Sequence, residues 1–264
     1  MLELNQIYHG DCLELMPSIE DKSIDMILCD LPYGVLKRKN VHTEWDIIIP
    51  FDKLWEQYNR IIKDNGVIAL TATQPFATDL INSNRKYYKD ELIWYKNICS
   101  GFLNAHKRPN RIHENIEIFY KEQPTYNPVK DYVPKSFIDK RVNKRKKNSH
   151  KKMKAFEIHG KAQDTWSYAD DGSRFPESVI CFDRDMTFDG TGHPTQKPVD
   201  MFEYLIELYT NEGETVLDNC CGSGTTAIAS INTKRNWICM EKDDGWFESA
   251  KQRIANHLNK PKLF

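Results

Sequence analysis

One large α/β domain carrying an insertion is the fold class this sequence predicts, and three observations predict it. Short apolar runs end in acids at Asp30, Asp218 and Glu241. Helix-periodic segments alternate with those runs, the order that builds a parallel sheet. Between about Lys121 and Thr191 the periodicity fades amid Pro124, Pro128, Pro134 and Pro176, as expected of an inserted, partly irregular region. A chain of 264 residues is long enough to bury one full core of this kind.

The elements follow in chain order. Ile24 to Asp30 is a buried strand feeding a loop, because Pro32 has no N–H to continue a ladder. Leu54, Trp55, Tyr58, Ile61 and Ile62 recur at helical spacing, and Asn65-Gly66 is expected to close that helix before the strand Val67 to Thr71. Leu92 to Tyr95 and Glu117 to Tyr120 are rich in aromatic and β-branched residues and are expected to pair as a hairpin. Met201 to Leu208 predicts a helix, Thr215 to Asp218 a strand, Ala227 to Ser230 a second helix and Trp237 to Glu241 a second strand. Together they make a βαβ unit. The Met and aromatic residues of Met201 to Tyr209 are core packing at helical spacing.

Composition narrows the class. Hydrophobic residues at 40% and charged residues at 28% exclude a disordered or fibrous chain. No apolar run approaches the roughly 18 residues of a bilayer span, and Met1 to Asn5 does not read as a signal peptide, so a cytoplasmic protein is expected. The seven cysteines are scattered without a C-x-x-C pair and read as reduced thiols. His113-Glu114 has no second histidine at i+4, so no metal site is expected. The net charge of −1 gives no global nucleic-acid signature. Locally, Lys140 to Lys154 reads KRVNKRKKNSHKKMK without an acid, suited to phosphate contact and equally to a solvated linker.

Two loops carry the chemistry. A strand ending in Asp218, a turn through Gly222 and Gly224, and a following helix bring bare backbone up to a ligand. Such a turn is also an ordinary strand-to-helix connection; Glu241, ending the next strand, favours a nucleoside. In Asp30-Leu31-Pro32-Tyr33 a carboxylate, a carbonyl held extended by the following proline and an aromatic face gather at a strand's C-terminal end. They match the two N–H donors and the π-face of an amino-bearing base such as adenine, although a proline-terminated strand explains the same residues locally.

Chain order adds to this. Asp30-Leu31-Pro32-Tyr33, then His193-Pro194-Thr195-Gln196-Lys197-Pro198, then Asp218-Asn219-Cys220-Cys221-Gly222-Ser223-Gly224-Thr225-Thr226 resemble the β-class DNA amino-methyltransferases. In that family a catalytic D-P-P-Y-like loop precedes the specificity domain, an H-P-x-x-K-P segment follows it, and the glycine motif comes last. The resemblance extends to Gly10-Asp11-Cys12, Gly101-Phe102, Arg108-Pro109-Asn110-Arg111, His113-Glu114 and Phe119-Tyr120-Lys121.

It implies a mostly parallel, doubly wound, Rossmann-like sheet of seven strands with circularly permuted motif order. Residues 1–121 would be the catalytic half, 122–190 an inserted target-recognition region and 191–264 the cofactor-binding half. The cofactor implied is S-adenosyl-L-methionine, with Asp11 and Glu241 on its adenosine, Lys197 and Asp218 near its methionine end and Gly222-Ser223-Gly224 beside it. Cys12, Asp30, His193, Pro198, Cys220, Thr225 and Thr226 complete the expected cofactor set. Asp30, Leu31, Pro32 and Tyr33 are the expected catalytic residues.

Arg108, Arg111, Lys140, Arg141, Lys144, Arg145, Lys146 and Lys147 are the expected contacts to double-stranded DNA. Two residues depart from the pattern: Leu31 stands for a proline and Cys220 for an aromatic. Leucine keeps the backbone carbonyl that makes the family's contact but loses the ring that stiffens the loop. Tyr33 stands where ring-carbon methylation would need a cysteine. By the resemblance, Asp at the head of the loop is commoner in the adenine enzymes and Ser in the cytosine-amino ones, so N6-adenine methylation is the expected activity, with N4-cytosine and a silent DNA-binding module of the same fold as alternatives. RNA or a glutamine side chain is a further acceptor of related loops. The resemblance also allows a homodimer, a cognate restriction endonuclease, and a bacterial or phage origin.

Overall fold

The computed structural model describes residues 2–34, 46–100, 105–128, 175–184 and 196–259. The chain divides into two compact units, Met1–Asn127 with Ser178–Phe264, and Pro128–Glu177. Of the second, the described residues are 128 and 175–177.

The first unit opens with β1 (Gln6–His9), α1 (Cys12–Leu15), β2 (Ile24–Cys29), α2 (Phe51–Ile61), β3 (Ile62–Ala72) and α3 (Phe76–Ser83). β4 (Tyr88–Ser100), β5 (Arg111–Phe119) and β6 (Val179–Cys181) follow. It closes with α4 (Val199–Tyr209), β7 (Thr215–Asp218), α5 (Thr225–Asn232), β8 (Asn236–Glu241) and α6 (Asp244–Leu258). The sheet order is β1-β8-β7-β2-β3-β5-β4-β6. β5 lies antiparallel to both β3 and β4, and every other neighbouring pair is parallel.

The mostly parallel α/β sheet is the predicted one, with eight strands among the described residues instead of seven. β6 is the addition: Ile93, Trp94 and Tyr95 pair with Val179, Ile180 and Cys181 at the edge, within the 122–190 stretch assigned to the insertion. Asn127 also joins the core, donating from Nδ2 to the Thr210 carbonyl at 2.9 Å and from its backbone to that of Leu208 at 2.8 Å.

Alternation places helices on both faces. Ile238 and Met240 of β8 pack in the cluster that holds Leu54, Tyr58, Ile61 and Leu80 of α2 and α3. Trp237 and Cys239 pack in the one that holds Ala227, Ile228 and Ile254 of α5 and α6. β2, covered on both sides, is correspondingly apolar in continuous run, with Met26, Ile27, Leu28 and Cys29 all buried. Each fully buried aliphatic chain contributes roughly 1.5–3 kcal/mol relative to exposure.

Asn65-Gly66 does not end a helix before a separate strand. β3 begins at Ile62, and Ile24↔Ile62 followed by Met26↔Val67 loops residues 63–66 out as a bulge. A Cβ on Gly66 would come within 2.9 Å of the Asp25 carbonyl, so the glycine permits a close backbone approach. The Leu92–Tyr95 and Glu117–Phe119 segments do lie in antiparallel partners, with Leu92 opposite Ile116. From β7 the chain crosses to β8 on one side, and from β2 to β3 on the other. The C-terminal ends of β2 and β7 therefore flank a topological switch point, where open α/β sheets hold their ligands.

Candidate active site

A cavity of about 610 Å³ opens at that switch point, lined by Asp30 to Tyr33 after β2, Asp218 to Ser223 after β7, and Glu241 to Asp243 after β8. The glycine-rich turn is built from its own acids. Gly222 donates its N–H to Glu241 Oε2 at 2.8 Å, Asp243 donates to Glu241 Oε1 at 2.9 Å, and Cys220 donates to Asp218 Oδ1 at 3.0 Å. The Thr226 hydroxyl donates to Asp218 Oδ2. Gly222 at φ +50° and Gly224 at φ +77° take the left-handed backbone that the turn needs. From α6, Arg253 Nη1 donates to the Ser223 carbonyl at 3.0 Å and to Thr225 Oγ1 at 3.1 Å, closing the turn from behind.

Acidity dominates this half. Burial first, with the Asp30 charge adding to it, pushes the Asp218 carboxyl up to about 6. Burial also raises Glu241 against its backbone donors. Asp11 caps α1 by accepting from the Leu13 N–H at 2.9 Å and pairs with Lys242 at 2.9 Å. Burial opposes its charge, but that lysine and the cap hold it below the ordinary range. Contact with Cys220 and burial raise the Cys12 thiol, and burial raises Cys29, so neither is an activated nucleophile.

Asp30 is held from both sides. Its Oδ1 accepts from the Tyr33 hydroxyl at 2.6 Å and from Thr71, and its Oδ2 accepts from Lys197 Nζ. The Tyr33 ring lies 5.0 Å from that of Phe76. Burial, then the charges of Asp30 and Glu114, raise the Tyr33 hydroxyl far above its usual range, so it stays a donor. Behind Lys197 stands Glu114, its Oε2 3.6 Å from Nζ and its Oε1 accepting from Lys96 at 2.8 Å. Burial works against both charges, yet the neighbours win: Glu114 is held below and Lys197 above the ordinary range. The result is a nearly buried row of alternating charge, Asp30, Lys197, Glu114, Lys96.

Of the sequence-predicted set, Asp11, Cys12, Asp30, Leu31, Pro32, Tyr33, Lys197, Asp218, Cys220, Gly222, Ser223, Thr225 and Glu241 line the one cavity. Three do not. Gly224 faces Ile254 and Ala250 of α6, Thr226 supports Asp218 from beneath, and Pro198 is the residue before α4. Arg108 is exposed in the loop before β5, and Arg111, which opens β5, donates to the Gln74 carbonyl at 3.3 Å; neither lines the cavity. His193, Lys140, Arg141, Lys144, Arg145, Lys146 and Lys147 lie outside the described residues. Thr71, Lys96 and Glu114 were not among the predicted site residues. The signal available was charge at inward positions, since Lys96 and Glu114 share the buried face of Trp94 and Ile116.

The site's geometry agrees with what the chain resembles. The profile of the N6/N4 DNA methylase family, described as "DNA methylase", matches residues 24–252. The type II methyltransferase M.BglII of Bacillus subtilis is 24% identical over 270 residues, covering 96% of this chain and 69% of that protein. The DNA adenine methyltransferase YhdJ of Escherichia coli (strain K12) is 26% identical over 278 residues, covering 99% and 87%. Among solved structures, the M1.HpyAVI–SAM complex superposes with a TM-score of 0.61 at 21% identity, over 96% of this chain and 98% of that one. The cytosine-N4-specific PvuII DNA methyltransferase gives 0.63 at 15% identity, over 97% and 91%. With its profile spanning most of the length and its strand-end acids gathered at one switch point, the chain belongs to the N6/N4 DNA methylase family and is a DNA amino-methyltransferase.

Proposed function

We propose that this chain transfers the methyl group of S-adenosylmethionine to the exocyclic N6 of adenine in double-stranded DNA. The observation that carries the reading is the position of Asp30, held by Tyr33 and Lys197 on the wall of the same cavity as Asp218 and Glu241. YhdJ, named as a DNA adenine methyltransferase, aligns with 99% of the chain and supports the choice of base.

The cavity suits the cofactor by chemistry. Its volume of about 610 Å³ falls in the range of small-ligand sites, and its carboxylates are acceptors for ribose hydroxyls and counter-charges for a cationic ligand. Asp11 and Glu241 would hold the ribose and adenine end, and Asp218 and the glycine turn the amino-acid end. The cofactor supplies an electrophilic methyl on a sulfonium; the protein supplies everything else.

The amino nitrogen of a base is a poor nucleophile because its lone pair is delocalised into the ring. The Asp30 carboxylate and the Leu31 carbonyl accept its two N–H groups and favour the pyramidal form that can attack. These bonds strengthen as positive charge grows on nitrogen, so they act on the transition state more than on the ground state. Tyr33 offers a face to the base once it is turned out of the duplex. β4 ends and β5 begins at the same end of the strands as Asp30, and Arg108 and Arg111, with the Lys140–Lys147 run, serve as phosphate contacts that position the duplex without reading sequence. The inserted region between the two halves of the core serves target recognition.

The test is incubation of the protein with tritium-labelled S-adenosylmethionine and unmethylated plasmid, followed by digestion to nucleosides. Label on N6-methyladenosine is expected. Label on N4-methylcytosine keeps the chemistry and changes the base, and cofactor binding without transfer contradicts the proposal in favour of a silent binding module.

A further inference from the structure

Asp30 Oδ1 accepts from both Tyr33 and Thr71, while Oδ2 accepts from the Lys197 ammonium and keeps one lone pair. A target amino group that gains positive charge as it reacts would meet that cation at Oδ2. Lys197 is almost wholly buried, so its ammonium gains little water when it leaves Asp30 and is best met by another anion. Glu114 is placed to be that anion. Its Oε1 accepts from Lys96, while its Oε2 is buried, accepts no hydrogen bond and faces Lys197 Nζ at 3.6 Å. A movement of well under 1 Å would complete a hydrogen bond.

We infer that Glu114 is a positioning residue that receives the Lys197 ammonium when the target amino group engages Asp30, and so releases Asp30 Oδ2 as acceptor. Lys96 fixes Glu114 for this exchange from the neighbouring strand, where Trp94 and Glu114 are register partners. Four charges, two of each sign, keep the row neutral, so handing the lysine across leaves no uncompensated buried charge. The inference rests on the amino-methylation reading and adds to it the group that makes Asp30 available.

The test uses the full-length protein, labelled S-adenosylmethionine and unmethylated plasmid, with wild type, Glu114→Gln, Glu114→Asp and the charge-swapped pair Lys96→Glu with Glu114→Lys. Glu114→Gln keeps the shape and an acceptor but not the charge. Its kcat is expected to fall about tenfold or more, with KM for the cofactor within about twofold of wild type, and Glu114→Asp is expected to recover part of the loss. The swapped pair keeps a β4–β5 ion pair but puts a cation against Lys197, and is expected to stay slow although folded by circular dichroism. Full recovery in the swapped pair would mean that Glu114 only ties two strands together. Wild-type kcat in Glu114→Gln would overturn the inference and leave the amino-methylation reading intact. Absence of transfer by wild type would overturn both.

Discussion

The Tyr33 hydroxyl donates to Asp30 Oδ1 at 2.6 Å, and the bond runs within one loop, from the residue proposed to offer its ring to a base to the residue proposed to accept a hydrogen bond from its amino group. The aromatic of this loop is thus also a clamp on the carboxylate. Tyr33→Phe keeps the ring and removes the clamp. Single-turnover transfer should fall about tenfold, equal to about 1.4 kcal/mol of transition-state stabilisation, with cofactor affinity unchanged. Tyr33→Ala should lose far more. Equal losses in the two variants would show that the ring contributes nothing.

Asp218, as the proposed partner of the cofactor's cationic end, should give cofactor binding a pH dependence. Its carboxyl is raised to about 6, burial being the leading cause, so a cationic ligand must find it ionised. Cofactor affinity in wild type should be steady above pH 7 and weaken below about pH 6, approaching tenfold per pH unit for a single linked proton. Asp218→Asn, which retains acceptor and donor atoms for Cys220 and Thr226, should bind weakly at every pH with a flat profile. Titration calorimetry between pH 5 and 8 checks this, and a wild-type slope surviving in the variant would assign the effect elsewhere.

Outside the cavity lining, Glu117 carries a stability signature. Both its carboxylate oxygens are buried without a hydrogen-bond partner, and burial together with the charge of Glu91, its register partner, raises it to about 7. A carboxyl whose folded pKa exceeds its unfolded one favours the fold in its protonated form. That advantage is complete below the unfolded value near 4.5 and is lost as pH climbs through about 7. Glu117→Gln should raise Tm at pH 8, change it little at pH 5, and flatten the decline between; a uniform shift at both would contradict the assignment.

Gly224 belongs to stability as well, which its place in a cofactor-like motif does not announce. Its φ is +77°, and a Cβ there would lie 3.2 Å from Ile254 and 3.3 Å from Ala250. Gly224→Ala should cost about 2 kcal/mol from backbone strain and overpacking together, a fall of roughly 5 °C in Tm for a chain of this size. Cofactor affinity of the folded fraction should be nearly unchanged. A loss of affinity without a fall in Tm would return Gly224 to the binding surface.

What could be read beforehand followed from local chemistry. Asp30, Asp218 and Glu241 each end a short apolar run, and strand-end acids mark where a parallel sheet presents its loops. The row behind Asp30 could not be read that way. Lys197 and Asp30 stand 167 positions apart, and Glu114 reaches them only through the pairing of β4 with β5. The pattern of each strand shows an inward charge without naming its partner. Asn65-Gly66 misled because glycine serves a helix stop and a bulge equally well, and pairing with β2 decides between them. α6 buries only Ala250 and Ile254, too few for its periodicity to stand out, and β6 is three residues in a proline-rich stretch.

Asp30 is proposed to act on the target amino group while the rest of the cavity holds the cofactor. The most direct measurement is label transfer from S-adenosylmethionine to plasmid nucleosides by wild type and Asp30→Ala side by side, with cofactor binding measured on the same samples. Labelled N6-methyladenosine from wild type, with no transfer by the variant and its cofactor affinity largely retained, is the result predicted. Near-wild-type transfer by Asp30→Ala would contradict the account.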